Sequence, residues 1–167
     1  MRHYIRARRR GATYFFTVNL QQRDGNRMLV ERIADLRASF EKVRREHPFK
    51  VEAIVVLPEH LHAMWTLPVE DADFSTRWAL IKAQFSGAIA AGEPVSPSRA
   101  RRRERGIWQR RFYEQMIRDD RDFDAHVNYI HWNPVKHGHV VRIADWPYSS
   151  FHSYVRRGCM PFDWAGE

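Results

Sequence analysis

The chain has 167 residues, 44% hydrophobic and 29% charged, which suits one soluble domain (1–167) and leaves too little for two. No apolar run reaches the length of a membrane span, and a lone cysteine, Cys159, rules out an internal disulfide or a cysteine-ligated zinc. The net charge is +8, and 24 of the 28 basic residues are arginine, which grips phosphate bidentately and stacks on bases, so the expected partner is nucleic acid and not a membrane.

Residues 1–12 form a basic arm with Arg6, Arg8, Arg9 and Arg10. Residues 1–6 lack the apolar stretch of a secretory signal, and with the single cysteine this predicts a reducing, cytoplasmic location. Aromatic and β-branched residues over 13–20 predict a strand, and Asp24-Gly25-Asn26 a turn. Val30, Ile33, Leu36, Phe40 and Val43 recur at helical spacing, so a helix is expected over 30–46, with Pro48 just beyond it. The nearly continuous apolar run 51–57 reads as a buried strand, Pro58-Glu59 as a turn, and 60–67 as a second strand. Helical spacing returns over 73–90 with Phe74, Trp78, Ile81, Phe85 and Ile89. Residues 92–106 combine Pro, Ser and five arginines without an apolar pattern and predict a flexible basic loop. A fourth strand is expected over 107–116 and a third helix over 119–133, stopped or kinked at Pro134. The tail, 138–167, is aromatic and irregular.

The order β-α-β-β-α-β followed by a helix predicts an α+β, ferredoxin-like split β-α-β sandwich, an antiparallel sheet with helices on one face. Two clusters on this frame carry chemistry. In Leu57-Pro58-Glu59-His60-Leu61-His62, residues two apart on a strand share a face, so His60 and His62 point together while Leu61 and Ala63 point into the core. Two imidazoles so placed can hold one divalent cation if a third ligand arrives from elsewhere. On the third helix, Phe123, Val127 and Ile130 make the buried stripe, and His126, Tyr129 and Asn133 a separate one. Tyr129 and Asn133 project together, a nucleophile beside an oxygen ligand. Read alone, either cluster also fits a bland role: solvated strand histidines, a tyrosine at the core rim, an asparagine at a helix end.

Together, in order, the pieces resemble a known family. His-Leu-His after Leu-Pro-Glu, Phe15 to Leu20, Trp65 to Pro68, Tyr-Ile-x-x-Asn-Pro-Val-Lys-His-Gly from Tyr129, Trp146 to Phe151 and Asp163 to Gly166 are similar to transposases associated with repetitive extragenic palindromes (REP). These are single-tyrosine HUH transposases related to insertion-sequence enzymes. The resemblance implies His60 and His62 as the HUH metal pair, Asn133 as third ligand, Tyr129 as nucleophile, and Mg²⁺ or Mn²⁺ as the ion. It further implies single-stranded or hairpin DNA carrying palindromic repeats as the partner, and a monomer or homodimer. The residues 99–105 look like an insertion relative to shorter members.

The implied reaction is a transesterification in which the Tyr129 oxygen attacks a phosphodiester, forms a 5′-phosphotyrosine and frees a 3′-hydroxyl, which needs no nucleotide cofactor. DNA selection is expected from the arm, the arginine loop, Arg110-Arg111 and the tail, with Trp108, Trp132 or Trp146 either stacking on bases or buried. The alternative is a non-catalytic nucleic-acid-binding module or a DNA-binding repressor on the same fold. The binding module is disfavoured because His60, His62, Met64 and Thr66, not aromatics, share one face of the central strand, while the repressor reading stays open.

Overall fold

Period-two alternation divides the first strand, β1 (Thr13–Asn19), between two cores. Tyr14, Phe16 and Val18 face one side and Phe15, Thr17 and Asn19 the other. The computed structural model describes residues 8–166, so most of the expected basic arm lies outside the described residues. After β1 come a short α1 (Met28–Glu31), α2 (Ile33–Glu46), β2 (Lys50–Val56), β3 (His60–Thr66) and α3 (Phe74–Gly87). The chain continues through α4 (Pro97–Arg101), β4 (Tyr113–Met116), α5 (Asp120–Lys136), a 3₁₀ turn (Ile143–Asp145) and α6 (Phe151–Arg156). The sheet order is β2-β3-β1-β4, with each neighbouring pair antiparallel. This is the expected ferredoxin-like arrangement.

The first core packs α2 and α3 on one face. Leu36, Phe40 and Val43 from α2 meet Phe74, Trp78, Ile81 and Phe85 from α3 over Tyr14, Phe16, Leu61, Ala63 and Trp65. The Trp65 and Trp78 rings stack with centroids 4.2 Å apart. The opposite face is not left open. Val127 and Ile130 of α5 cover Phe15, Ala53, Val55 and Met64 there. The sheet is therefore buried on both sides, and α5 is the element that closes the face bearing His60 and His62.

The helix expected over 30–46 is broken at Arg32, whose backbone leaves helical geometry. The break lets Leu29 enter one core and Val30 the other. The fourth strand is shorter than expected. Trp108 bridges to Leu20, but the chain then leaves the ladder and Phe112 packs against Phe16 and Trp78 before β4 begins. Pro134 does not stop α5, which runs on to Lys136. Gly138 ends it: at φ +72 its N–H donates to Val135 O while the His139 N–H donates to Pro134 O, a paired closure that favours a residue without Cβ.

Two stretches read as irregular are folded. In 92–106, Ser96 caps α4 and two arginines act as internal staples. Arg99 donates to Arg105 O and Trp108 O, and Arg105 forks onto Glu93 while also reaching Ser86 O and Ile89 O. The Arg105 guanidinium holds the Glu93 carboxyl down to about 2. The stretch thus holds a short helix and internal arginine contacts in place of apolar packing. In the tail, residues 146–154 run along the outer edge of β2. Trp146 Nε1 donates to Val56 O, Val56 N to Tyr148 O, Ser150 N to Ile54 O, and the Tyr154 hydroxyl to Glu52 O. These bonds occupy an edge that would otherwise invite pairing with another chain.

His131, fully buried on α5, pins this tail. Its Nε2 pairs with Ser150 Oγ at 2.8 Å and its ring lies edge-on to Tyr154. Burial, then Arg157 and His152, pushes its pKa down to about 4. Between about pH 6.5 and 4 the unfolded chain takes up a proton that the folded one refuses. The stabilisation is thus complete above 6.5 and is lost as pH falls toward 4, at about 1.4 kcal/mol per pH unit. His131→Gln should lower Tm at pH 7 yet flatten the fall of stability between pH 6.5 and 4. Thermal melts at stepped pH test this, and an unchanged slope would mean that the ring charges freely in the folded state.

Candidate active site

The turn Pro58-Glu59 delivers the two histidines. It is held from both sides, by Leu20 N donating to Glu59 O and Leu29 N donating to Pro58 O. Pairing with β1 then sets the register, His60 opposite Asn19 and His62 opposite Thr17. Both imidazoles face α5 and are almost wholly buried. Their ring centroids are 5.0 Å apart.

Each ring is oriented through Nδ1. His60 Nδ1 lies 2.8 Å from Glu59 Oε1, and Arg23 in turn donates to that carboxylate at 3.2 Å. His62 Nδ1 pairs with Thr17 Oγ1 at 2.8 Å. This leaves Nε2 as the free nitrogen of both rings, the arrangement by which second-layer groups orient metal-binding histidines. Burial lowers the pKa of His60, against the opposing pull of Glu59. Burial, followed by His60 and His137, lowers that of His62 to about 3. Both are therefore neutral at pH 7, the form that binds a cation.

Asn133 lies beside the His62 ring. It is fully buried on α5, and its Nδ2 donates to Tyr129 O at 3.1 Å. The Oδ1 accepts no well-formed hydrogen bond and His62 Nε2 makes none, although the Asn133 side chain lies close enough to the His62 ring to act on it as a hydrogen-bonding neighbour. Either ring nitrogen donates or accepts according to the tautomer. A neutral imidazole nitrogen beside an amide oxygen is a donor set that a divalent cation accepts, so the residues present fit one. Among the described residues no three His, Cys, Asp or Glu side chains converge on a metal position.

Tyr129 sits one turn before Asn133 and is half-buried. Its ring stands edge-on to His62 at 5.3 Å and to Phe15 at 5.9 Å. Beside its hydroxyl lies Lys136 Nζ at 3.4 Å. All four residues singled out in the sequence are therefore neighbours. His126, on the same helical stripe, is not part of the group: its Nδ1 is taken by Asp122 O and its ring lies on Phe15. Other tyrosines are committed elsewhere, Tyr14 to Arg9 and Tyr154 to Glu52. Tyr113 bonds Gln115 on β4, while Tyr148 packs on Trp146. Tyr4 lies outside the described residues.

Sequence reasoning missed Thr17, Glu59, Arg23 and Lys136 as parts of the site. Glu59 was visible beside His60. Thr17 was reachable in principle, as a polar residue among aromatics on a strand with the spacing to pair with His62. Lys136 stood in the motif that begins at Tyr129 but without a role, and Arg23 carried no signal before folding. Of the tryptophans proposed for stacking, Trp108 and Trp146 are buried, and Trp132 is 37% exposed on α5. In the basic loop, Arg101, Arg102 and Arg103 are exposed and form no side-chain hydrogen bond or ion pair among the described residues. Arg99 and Arg105 are the ones used internally.

No family model matches the chain. Individual relatives do. A protein of Escherichia coli strain K12 named REP-associated tyrosine transposase is 46% identical over 166 residues, spanning 99% of this chain and 90% of its own. A Haemophilus influenzae protein carrying the same family name is 41% identical over 167 residues, spanning 99% of this chain and 94% of its own. Among solved structures, a REP-associated tyrosine transposase bound to a REP hairpin superposes with a TM-score of 0.87 at 46% identity, over 100% of this chain and 93% of that one. At this identity over nearly the full length, with the tyrosine and the paired histidines brought together on one face of the sheet, the chain belongs to the REP-associated tyrosine transposase family.

Proposed function

We propose that this protein cuts and rejoins single-stranded or hairpin DNA at palindromic REP-like elements, with Tyr129 as nucleophile. The observation that carries this reading is the meeting of Tyr129 with two buried, neutral imidazoles and the buried Asn133 amide on one face of the sheet. The relative solved with a REP hairpin supports DNA of that kind as substrate.

In the cutting step the Tyr129 oxygen attacks phosphorus and the bond to the 3′-oxygen breaks. The phenolic proton leaves to solvent, and the departing 3′-oxygen gains a proton. The 5′-phosphotyrosine conserves the bond energy, and attack by a second 3′-hydroxyl rejoins the strand and releases Tyr129. His60, His62 and Asn133 would hold a Mg²⁺ or Mn²⁺ ion, which when bound supplies positive charge to the phosphate and the leaving oxygen. Thr17 and Glu59 keep both Nε2 atoms aimed at that position. Phe15 and the His62 ring hold the tyrosine upright against the sheet. One copy of the chain supplies every one of these residues, which favours catalysis in cis.

Tyr129→Phe removes one oxygen and keeps the ring packed on Phe15. Incubated with Mn²⁺ and a labelled REP hairpin oligonucleotide, it should form no covalent adduct on a denaturing gel while binding the hairpin as the parent does. Mixing it with His62→Ala should not restore cutting. Adduct formed by Tyr129→Phe would move the nucleophile to another residue, and a hairpin bound by the parent without adduct would favour the repressor reading.

Calorimetric titration with Mn²⁺ should find the site in the free protein. His60→Ala or His62→Ala should abolish it, and Thr17→Val or Glu59→Gln should weaken it about 10- to 100-fold by releasing a ligand from its orientation. Undiminished Mn²⁺ affinity in all four would make the histidines structural.

The exposed arginines 101–103 are offered to phosphate, and 99 and 105 are not. Replacing Arg101, Arg102 and Arg103 by Ala should flatten the dependence of log affinity on log salt by about 2, since each phosphate neutralised contributes roughly 0.7–0.9. Replacing Arg99 or Arg105 should instead lower Tm. A salt slope unaltered by the triple replacement would leave the loop outside the DNA contact.

A further inference from the structure

We infer that Lys136 is a catalytic residue, a fixed positive charge that stabilises the Tyr129 oxygen when it is negative during both cutting and rejoining. The inference rests on the reading of Tyr129 as nucleophile and adds a residue to it.

The placement follows from helix geometry. Seven residues are two turns less about 20°, so positions 129 and 136 lie on nearly one face. They are about 10 Å apart along the axis, a gap that a lysine stem leaning back toward the N-terminus can span. The ammonium reaches the phenol in two ways at once. Nζ is 4.7 Å from the ring centroid and 3.4 Å from the hydroxyl oxygen. It thus sits over the oxygen-bearing end of the ring, where negative charge appears when the phenol loses its proton. This requires α5 to pass through Pro134 unbroken and to end at Gly138; a helix stopped at Pro134 would carry Lys136 away.

No competing group takes this role. His62 and Phe15 meet the ring from the sheet side. His126 is bound to Asp122 on the preceding turn. Arg121 and Asp124 line a hollow along the outer side of the ring together with Asn128 and Trp132, and neither bonds the hydroxyl. Among the described residues Lys136 is the one hydrogen-bonding partner of the phenolic oxygen.

The chemistry asks for such a charge. In cutting, the proton of Tyr129 goes to solvent as the oxygen bonds to phosphorus and the 3′-oxygen departs. In rejoining, the incoming 3′-hydroxyl gives up its proton as its oxygen bonds to phosphorus, and Tyr129 departs as phenolate. The tyrosine oxygen carries negative charge at the beginning of one step and the end of the other. A preset ammonium beside it lowers both barriers without moving a proton itself. Because Lys136 is exposed, solvent screens the effect to less than a buried donor would give.

The experiment measures single-turnover adduct formation and rejoining on a REP hairpin oligonucleotide with Mn²⁺, at saturating protein, with hairpin affinity and Tm measured in parallel. Lys136→Met should slow both steps by roughly 10- to 100-fold at saturation, discounted from the loss of a buried oxyanion donor. Tm should not change, because the side chain is exposed. Introducing 3-fluorotyrosine at position 129, whose phenolate is intrinsically more stable, should shrink the penalty of Lys136→Met. Equal single-turnover rates in Lys136→Met and parent would overturn the inference. So would a loss confined to hairpin affinity, or a penalty of the same size with fluorotyrosine. Adduct formation by Tyr129→Phe would instead sink the underlying choice of nucleophile, so the two failures are separable.

Discussion

The register between β1 and β3 governs everything else in this molecule. His62 opposite Thr17 and His60 opposite Asn19 place both imidazoles on the α5 face, while Leu61, Ala63 and Trp65 enter the aromatic core with α2 and α3. A slip of one residue would exchange the two sets. It would expel Trp65 from its stack on Trp78 and bury two imidazoles among Phe16, Phe40 and Phe49. Truncating one buried aromatic of this size typically costs about 3–5 kcal/mol, so the core enforces the register that the site requires. The chemistry on one face is specified by packing on the other.

What α5 adds is a lid with a chemical underside. Val127 and Ile130 supply the apolar seal, and Tyr129 and Asn133 arrive on the adjoining stripe. The seal excludes water from the His62 ring and the Asn133 amide, and that burial keeps the imidazole neutral. The helix is fastened to the sheet through His131, Ser150 and the backbone of Ile54, so the tail and the stripe bearing Tyr129 and Asn133 are anchored by the same element.

Arginine content had suggested a DNA-binding surface, and folding divides it into two populations. Arg77, Arg99 and Arg105 hold loops by donating to backbone carbonyls, with Arg77 buried against His47, Pro48 and Asp73. Planar guanidinium forks suit this work as well as they suit phosphate. Composition counts both populations alike, and only those without an internal partner are free to meet a nucleic acid.

The shared face of His60 and His62 and the pairing of Tyr129 with Asn133 were legible in the sequence, because each is a matter of period two or period 3.6 within a single element; the split β-α-β topology followed from the succession of such elements. Motif resemblance supplied roles for those residues that spacing alone left open. The folded tail, the internal contacts of the arginine loop, the continuation of α5 past Pro134, the partner Arg23 and the reach of Lys136 to Tyr129 were not legible. Each depends on contacts between segments far apart in the chain, or on a helix end set by Gly138 instead of the nearer proline. Local pattern determined which residues could face the site; tertiary packing alone decided which of them meet there, because the distance between two side chains is set by how elements dock and not by their spacing in sequence.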